Sequence, residues 1–218
     1  AAHGETVSEP AWKADNSGWR ILFWAAHAPL ILSSSDLIYR SAVLNHLARA
    51  ARHLDRVADK TRPGTGQLVA WIGIVAASLL MPGGEPRQVF GEAGLRKVIE
   101  TSFYADGGNI ARSPQAQLDA IMALSMLTRV YDMRRMEVPP FVQEVLARAV
   151  PALLGLVHSD GGMGSWQGSG ATATATIEAI VAASGVRTRP LKQARDWGYQ
   201  RLVANKVVLL ADAAPPPI

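Results

Sequence analysis

Six side chains that can carry charge or share a proton recur along one stretch. Tyr39, His46, Arg49, His53, Arg56 and Lys60 are spaced in steps of three, four or seven residues. That spacing puts them on one stripe of an α-helix. A cationic stripe containing imidazoles can grip a polyanion by charge-assisted hydrogen bonds, and Asn45 lies beside it. The alternative is a solvated outer face, the usual place for long basic side chains. Elsewhere, Asp106-Gly107-Gly108 returns 54 residues later as Asp160-Gly161-Gly162. Each aspartate is either a turn former or half of a carboxylate pair for glycoside hydrolysis, if the two loops share a rim. His158 precedes the second triplet, as a cation at a helix C-terminus or as a site residue. Trp166 follows it, as a platform for a sugar ring or as a loop anchor. His27, alone in an apolar stretch, is expected to be a satisfied core residue.

Other chemistries find no support. The chain has no cysteine and no His-x-x-x-His pair, and its carboxylates are scattered. A metal site is therefore not expected. There is no nucleophile elbow, P-loop or dinucleotide fingerprint, so no cofactor is expected. A net charge of +4 and a pI near 9.7 form a mild basic bias, compatible with an acidic partner. Nucleic acid is not the expected one.

The elements that must position these residues are mostly helical. Gly18–Leu32 is apolar nearly all round. Asp36–Asp59 opens after the Ser33-Ser34-Ser35 cluster, and Leu37, Val43, Leu44, Leu47, Leu54 and Val57 are predicted to form its buried face. Gln67–Met81 is nearly all apolar and stops at Pro82-Gly83-Gly84. Pro86–Tyr104, Ser113–Arg135 with Pro114 at the first helical position, Phe141–Val157 and Thr172–Ala183 follow. The apolar runs Ile21–Leu32 and Leu68–Met81 fall short of the roughly 20 residues that span a bilayer, so neither is expected to cross a membrane. Both triplets follow helices, which fits a helix–turn–helix–turn repeat with a period of about 50 residues.

With 218 residues the chain can hold one sizeable core. Residues 1–17 read as an irregular lead-in, 18–197 as a helical domain, and 198–218 as the start of something different. Two apolar runs around Ala204-Asn205-Lys206 predict a β-hairpin, of the kind that begins a sheet. Ala1 and the lack of a signal pattern over residues 1–17 lead to the expectation that the natural chain starts upstream.

Several stretches together resemble the heparinase II/III-like polysaccharide lyases. Leu44-Asn45-His46-Leu47 is similar to that family's Asn-His-Leu-Leu stretch. Asp106 to Pro114, reading Asp-Gly-Gly-Asn-Ile-Ala-Arg-Ser-Pro, resembles its Asp-Gly-Gly-x-x-x-Arg-Ser-Pro element. His158-Ser159-Asp160-Gly161-Gly162 through Trp166-Gln167-Gly168 is similar to a third stretch of its bacterial members, and Ala28-Pro29-Leu30 and Tyr39-Arg40-Ser41 also look like that subgroup. The resemblance implies an all-α, incomplete (α/α) toroid of helical hairpins, then a β-sandwich beyond this chain, in a periplasmic or cell-envelope protein. It implies an acidic, uronate-containing polysaccharide as partner and β-elimination as the reaction. Such a reaction stabilises the developing negative charge while a positioned base takes the C5 proton.

By position, Asn45 would be the neutralising asparagine, with His46 beside it as a second catalytic candidate. Arg49, His53, Arg56, Arg112, His158 and Trp166 would contact substrate. The pattern departs at Ala116 and Gln117, where the family's tyrosine and histidine would stand. The family's β-domain histidine would lie beyond Ile218. The chain alone is therefore expected to be inactive or nearly so. The alternatives are a non-catalytic glycan- or envelope-binding relative, or another α/α-barrel glycoside hydrolase.

Overall fold

The computed structural model describes residues 7–215 apart from Lys206. These residues form eight α-helices, α1 (Ala14–Ala26), α2 (Ala28–Ile31), α3 (Leu37–Val57), α4 (Thr65–Leu80), α5 (Glu85–Ser102), α6 (Pro114–Met133), α7 (Pro140–Gly155) and α8 (Thr174–Ala183). A 3-10 turn (Ala58–Lys60) follows α3, and two strands, β1 (Tyr199–Ala204) and β2 (Val207–Asp212), close the order. The protein is thus mostly helical with a short C-terminal two-stranded antiparallel sheet, as the sequence predicts. No helix of the described residues is long and apolar enough to cross a membrane.

The chain divides into two compact units. The first comprises residues 1–98 and 126–137, the second residues 99–125 and 138–218, with the division falling inside α5 and α6.

The first unit is built around α4. Every residue from Gln67 to Leu79 is buried, which is why that stretch lacks a polar face. α1 approaches α4 closely because both contribute glycine at the crossing. A Cβ on Gly18 would lie 2.4 Å from the Val69 carbonyl oxygen, and one on Gly73 would lie 2.8 Å from the Gly18 Cα. α3 starts where expected, but the cap is Asp36, whose carboxylate accepts the Ile38 and Tyr39 N–H groups at 2.8 and 3.1 Å. Ser34 Oγ in turn accepts the Asp36 N–H at 3.1 Å.

Three expectations are corrected here. Leu37 and Leu44 belong to the periodic apolar face of α3, yet they are 72% and 54% exposed. Burial on that helix begins further along, at Ala50, Ala51 and Leu54. His27 is exposed at the joint between α1 and α2 instead of lying in the core. The lead-in is partly structured, since α1 begins at Ala14 and Trp12 is buried.

In the second unit Leu118, Ile121 and Leu124 of α6 and Val142, Val145, Ala149 and Leu153 of α7 are buried, and the Gln117 side chain of α6 donates to the Ala149 carbonyl of α7 at 2.9 Å. A neighbouring cluster joins Ala152, Leu156, Ala194, Trp197 and Tyr199, with Tyr104, Trp166 and Leu191 at its edge. The hairpin pairs Tyr199 with Asp212 through Ala204 with Val207. Asn205 takes a left-handed conformation at its turn (φ +53), which asparagine tolerates better than most residues.

The two Asp-Gly-Gly segments form the same turn. After α5, the Tyr104 N–H donates to the Gly108 carbonyl at 2.8 Å, and the Gly107 N–H donates back to the Tyr104 carbonyl. After α7, His158, Gly162 and Gly161 repeat both bonds, the first again at 2.8 Å. Each turn is closed by a bridge, Phe103 with Asn109 and Val157 with Met163. Gly107 and Gly161 sit at φ +88 and +83, where a side chain would strain the backbone. Asp106 and Asp160 each accept the N–H two residues on, at 3.3 and 2.8 Å. Both aspartates are therefore turn formers, and the repeat read from the sequence exists as geometry.

Candidate functional site

In the first unit, side chains from the lead-in, α1 and α3 converge. Trp12 is held by His53, whose Nε2–H donates to the Trp12 carbonyl at 2.8 Å. The His46 ring lies 5.7 Å from the Trp12 ring and 5.9 Å from the Trp24 ring. The guanidinium carbons of Arg49 and Arg20 lie 5.3 and 5.7 Å from the centre of the Trp12 ring, within cation–π range. Arg20 also donates from Nη2 to the Ala11 carbonyl. Its Nη1 is buried and meets no hydrogen-bond acceptor among the described residues.

This concentration of positive charge affects the histidine. Burial, followed by the fields of Arg20 and Arg49, lowers the His46 pKa below its ordinary value. Both effects favour the neutral imidazole beside two cations, and an arriving anion would offset their field. Chemically the cluster can accept a carboxylate, sulfate or phosphate group against an aromatic wall.

The sequence-derived candidates fall into two sets. His46, Arg49 and His53 are half-buried in this cluster. Asn45 and Arg56 are on the same helix and exposed. Trp12, Trp24 and Arg20 carry no site signal in the sequence, since Trp12 stands in an aperiodic segment and the other two belong to a stretch that is apolar nearly all round.

The remaining candidates lie in the second unit. Arg112, expected to contact substrate, is only 2% exposed. It donates to the Trp197 and Ala214 carbonyls at 3.1 and 3.0 Å, and to the Pro215 carbonyl and the Asp212 carboxylate. Its guanidinium is committed inside the unit, where it ties the residues after β2 to the Asp106 turn. His158 is a half-buried turn residue whose backbone carries the contacts described above. The Trp166 ring packs at 5.4 Å against Tyr199.

Ala116 and Gln117 occupy the places where the resemblance calls for a phenol and an imidazole. Gln117 is fully buried. Its Oε1 accepts the Asn109 N–H at 2.7 Å, and its Nε2 donates to the Gly107 and Ala149 carbonyls, each at 2.9 Å. Every polar atom of that amide is engaged in holding the turn to α7. Among the described residues no group of His, Asp or Glu is arranged to hold a metal ion.

Comparison with known proteins adds one finding. Over 172 residues the chain is 26% identical to FtsZ-localized protein C of Caulobacter vibrioides (strain NA1000 / CB15N). The match covers 79% of this chain and 30% of that protein, so the chain spans less than a third of this relative's length. No family model and no solved structure matches.

Proposed function

We propose that this chain is the helical part of a heparinase II/III-like protein that binds an acidic polysaccharide without catalysing its cleavage. The gathering of Arg20, His46 and Arg49 against Trp12 and Trp24 carries the reading. A uronate-containing chain presents what such a cluster accepts: a carboxylate for the guanidinium groups and an apolar sugar face for an indole. Asn45 and Arg56, on the same helix, extend the surface. The non-catalytic half of the reading rests on Ala116, which offers no ionisable group, and on Gln117, whose amide is fully used. In this reading the repeated hairpins are part of an α/α toroid, and the hairpin of β1 and β2 opens onto a β-domain. The setting would be the cell envelope.

A second reading comes from the relative named for its localisation with FtsZ. The same domain would then act where FtsZ is located. The likeness over 79% of the chain favours it.

One experiment addresses both halves of the first reading. Calorimetric titration with alginate, heparin and polygalacturonate should show binding to at least one polymer. Ultraviolet absorbance of the same mixtures should show no unsaturated uronate product. Product formation would restore the lyase assignment, and absence of binding to all three would leave the FtsZ-site reading in its place. That second reading predicts that a fluorescent fusion of the protein follows FtsZ in dividing cells.

A further inference from the structure

The first Asp-Gly-Gly turn holds a peptide segment of its own chain. Asp106 Oδ2 accepts two consecutive backbone N–H groups, those of Asp196 and Trp197, each at 2.9 Å. The Trp197 indole lies on Gly108, where a Cβ would approach the ring to 2.0 Å. The indole N–H donates to the Asn109 carbonyl at 2.8 Å. Three features of the turn thus receive the segment: a carboxylate oxygen not used by the turn itself, a residue without a side chain, and a carbonyl one position on.

The second turn repeats the first two of these features. Asp160 uses Oδ1 for the Gly162 N–H, and its residue is exposed. A Cβ on Gly162 would meet nothing nearer than the Asp160 carboxylate, at 3.2 Å. Met163 stands where Asn109 stands. We propose that the Asp160 turn is a docking position for a peptide segment of a partner protein with the chemistry of residues 196–197. Two consecutive backbone N–H groups would reach the Asp160 carboxylate, and an aromatic ring would lie on Gly162. The occupant is specified by the copy of the receptor that the same chain already fills. Bonds from backbone N–H to a carboxylate supply the affinity, and the bare glycine face supplies the selection for an aromatic.

The test titrates the protein with a blocked peptide of the sequence of residues 193–200 and follows backbone amide resonances. Shifts confined to residues 158–163 are expected, with a loss of about tenfold or more in affinity for Asp160→Asn. The same peptide with alanine for tryptophan should not bind. Gly162→Ala is the second variant. Its methyl would lie 3.2 Å from the exposed Asp160 carboxylate, which must give by a few tenths of an ångström, and it would occupy the face the ring must cover, so binding should disappear while the spectrum keeps its dispersion. No shifts, shifts confined to residues 104–109, or binding indifferent to both substitutions would overturn the proposal.

Discussion

In the first Asp-Gly-Gly turn both oxygens of Asp106 are engaged, one within the turn and one by residues 196 and 197. In the second, Asp160 closes the turn with the same oxygen but faces solvent. The two backbone bonds that close the turn are the same in both, so local sequence accounts for the turn and tertiary company accounts for what surrounds it. A carboxylate that merely shapes a turn in water adds little, because solvent competes for it. One that also accepts two backbone N–H groups, that of Trp197 partly buried, costs more to remove, since both donors lose their partner. Around the first turn the burial extends to Trp197, Tyr199 and Arg112. The Tyr199 hydroxyl donates to the Arg112 carbonyl at 2.7 Å, and burial raises the Tyr199 pKa against the opposing field of Arg112.

The contrast can be broken in order of expected size. Arg112→Ala should have the largest effect. It leaves the Asp212 carboxylate and three carbonyls without their cation, and loss of one partner of a buried pair costs about 3–5 kcal/mol. Chemical denaturation of the second unit measures this. Trp197→Ala belongs to the same range, about 3–5 kcal/mol for a fully buried aromatic, whereas Trp166→Ala should cost less because that ring is half-exposed. Next come the paired glycines. Gly108→Ala forces a methyl into the Trp197 ring and should destabilise by about 1–3 kcal/mol, while Gly162→Ala, which crowds only the exposed Asp160 carboxylate, should cost less, about 1 kcal/mol or below. A similar cost for the two would mean that the second turn is also covered.

The smallest effect concerns pH and the first unit. His46 has a lowered pKa in the folded state, so the unfolded chain binds its proton first as the solution is acidified. The contribution of neutral His46 to stability is therefore complete above its ordinary value of 6.5 and is lost as pH falls below it. His46→Gln should flatten the stability profile on the acid side. A saturating acidic polymer should do the same to the wild-type protein by offsetting the charges of Arg20 and Arg49.

Much of this fold was legible in the sequence for reasons the structure makes plain. α4 has no polar face because it is buried on all sides, and Pro114 opens α6 because its missing N–H is unneeded in a first turn. The two turns were visible because only glycine suits their positive φ. What sequence could not supply was company. The spacing of Leu37 and Leu44 identifies a helix face but not whether another element covers it. Arg112 carries a motif compatible with a surface role, and its burial depends on Asp212, 100 residues away. Trp12 and Arg20 joined His46 only through the packing of α1, α3 and α4, which no local pattern encodes.

The central claim is that Arg20 and Arg49, gathered on Trp12 beside His46, form an anion-binding surface for an acidic glycan. Calorimetric titration of the wild-type protein and of Arg20→Gln/Arg49→Gln with alginate, at low and at high salt, tests it most directly. The account predicts wild-type binding that weakens with salt and an affinity about tenfold or more lower for the double variant at low salt. Equal affinity for the two proteins would contradict it.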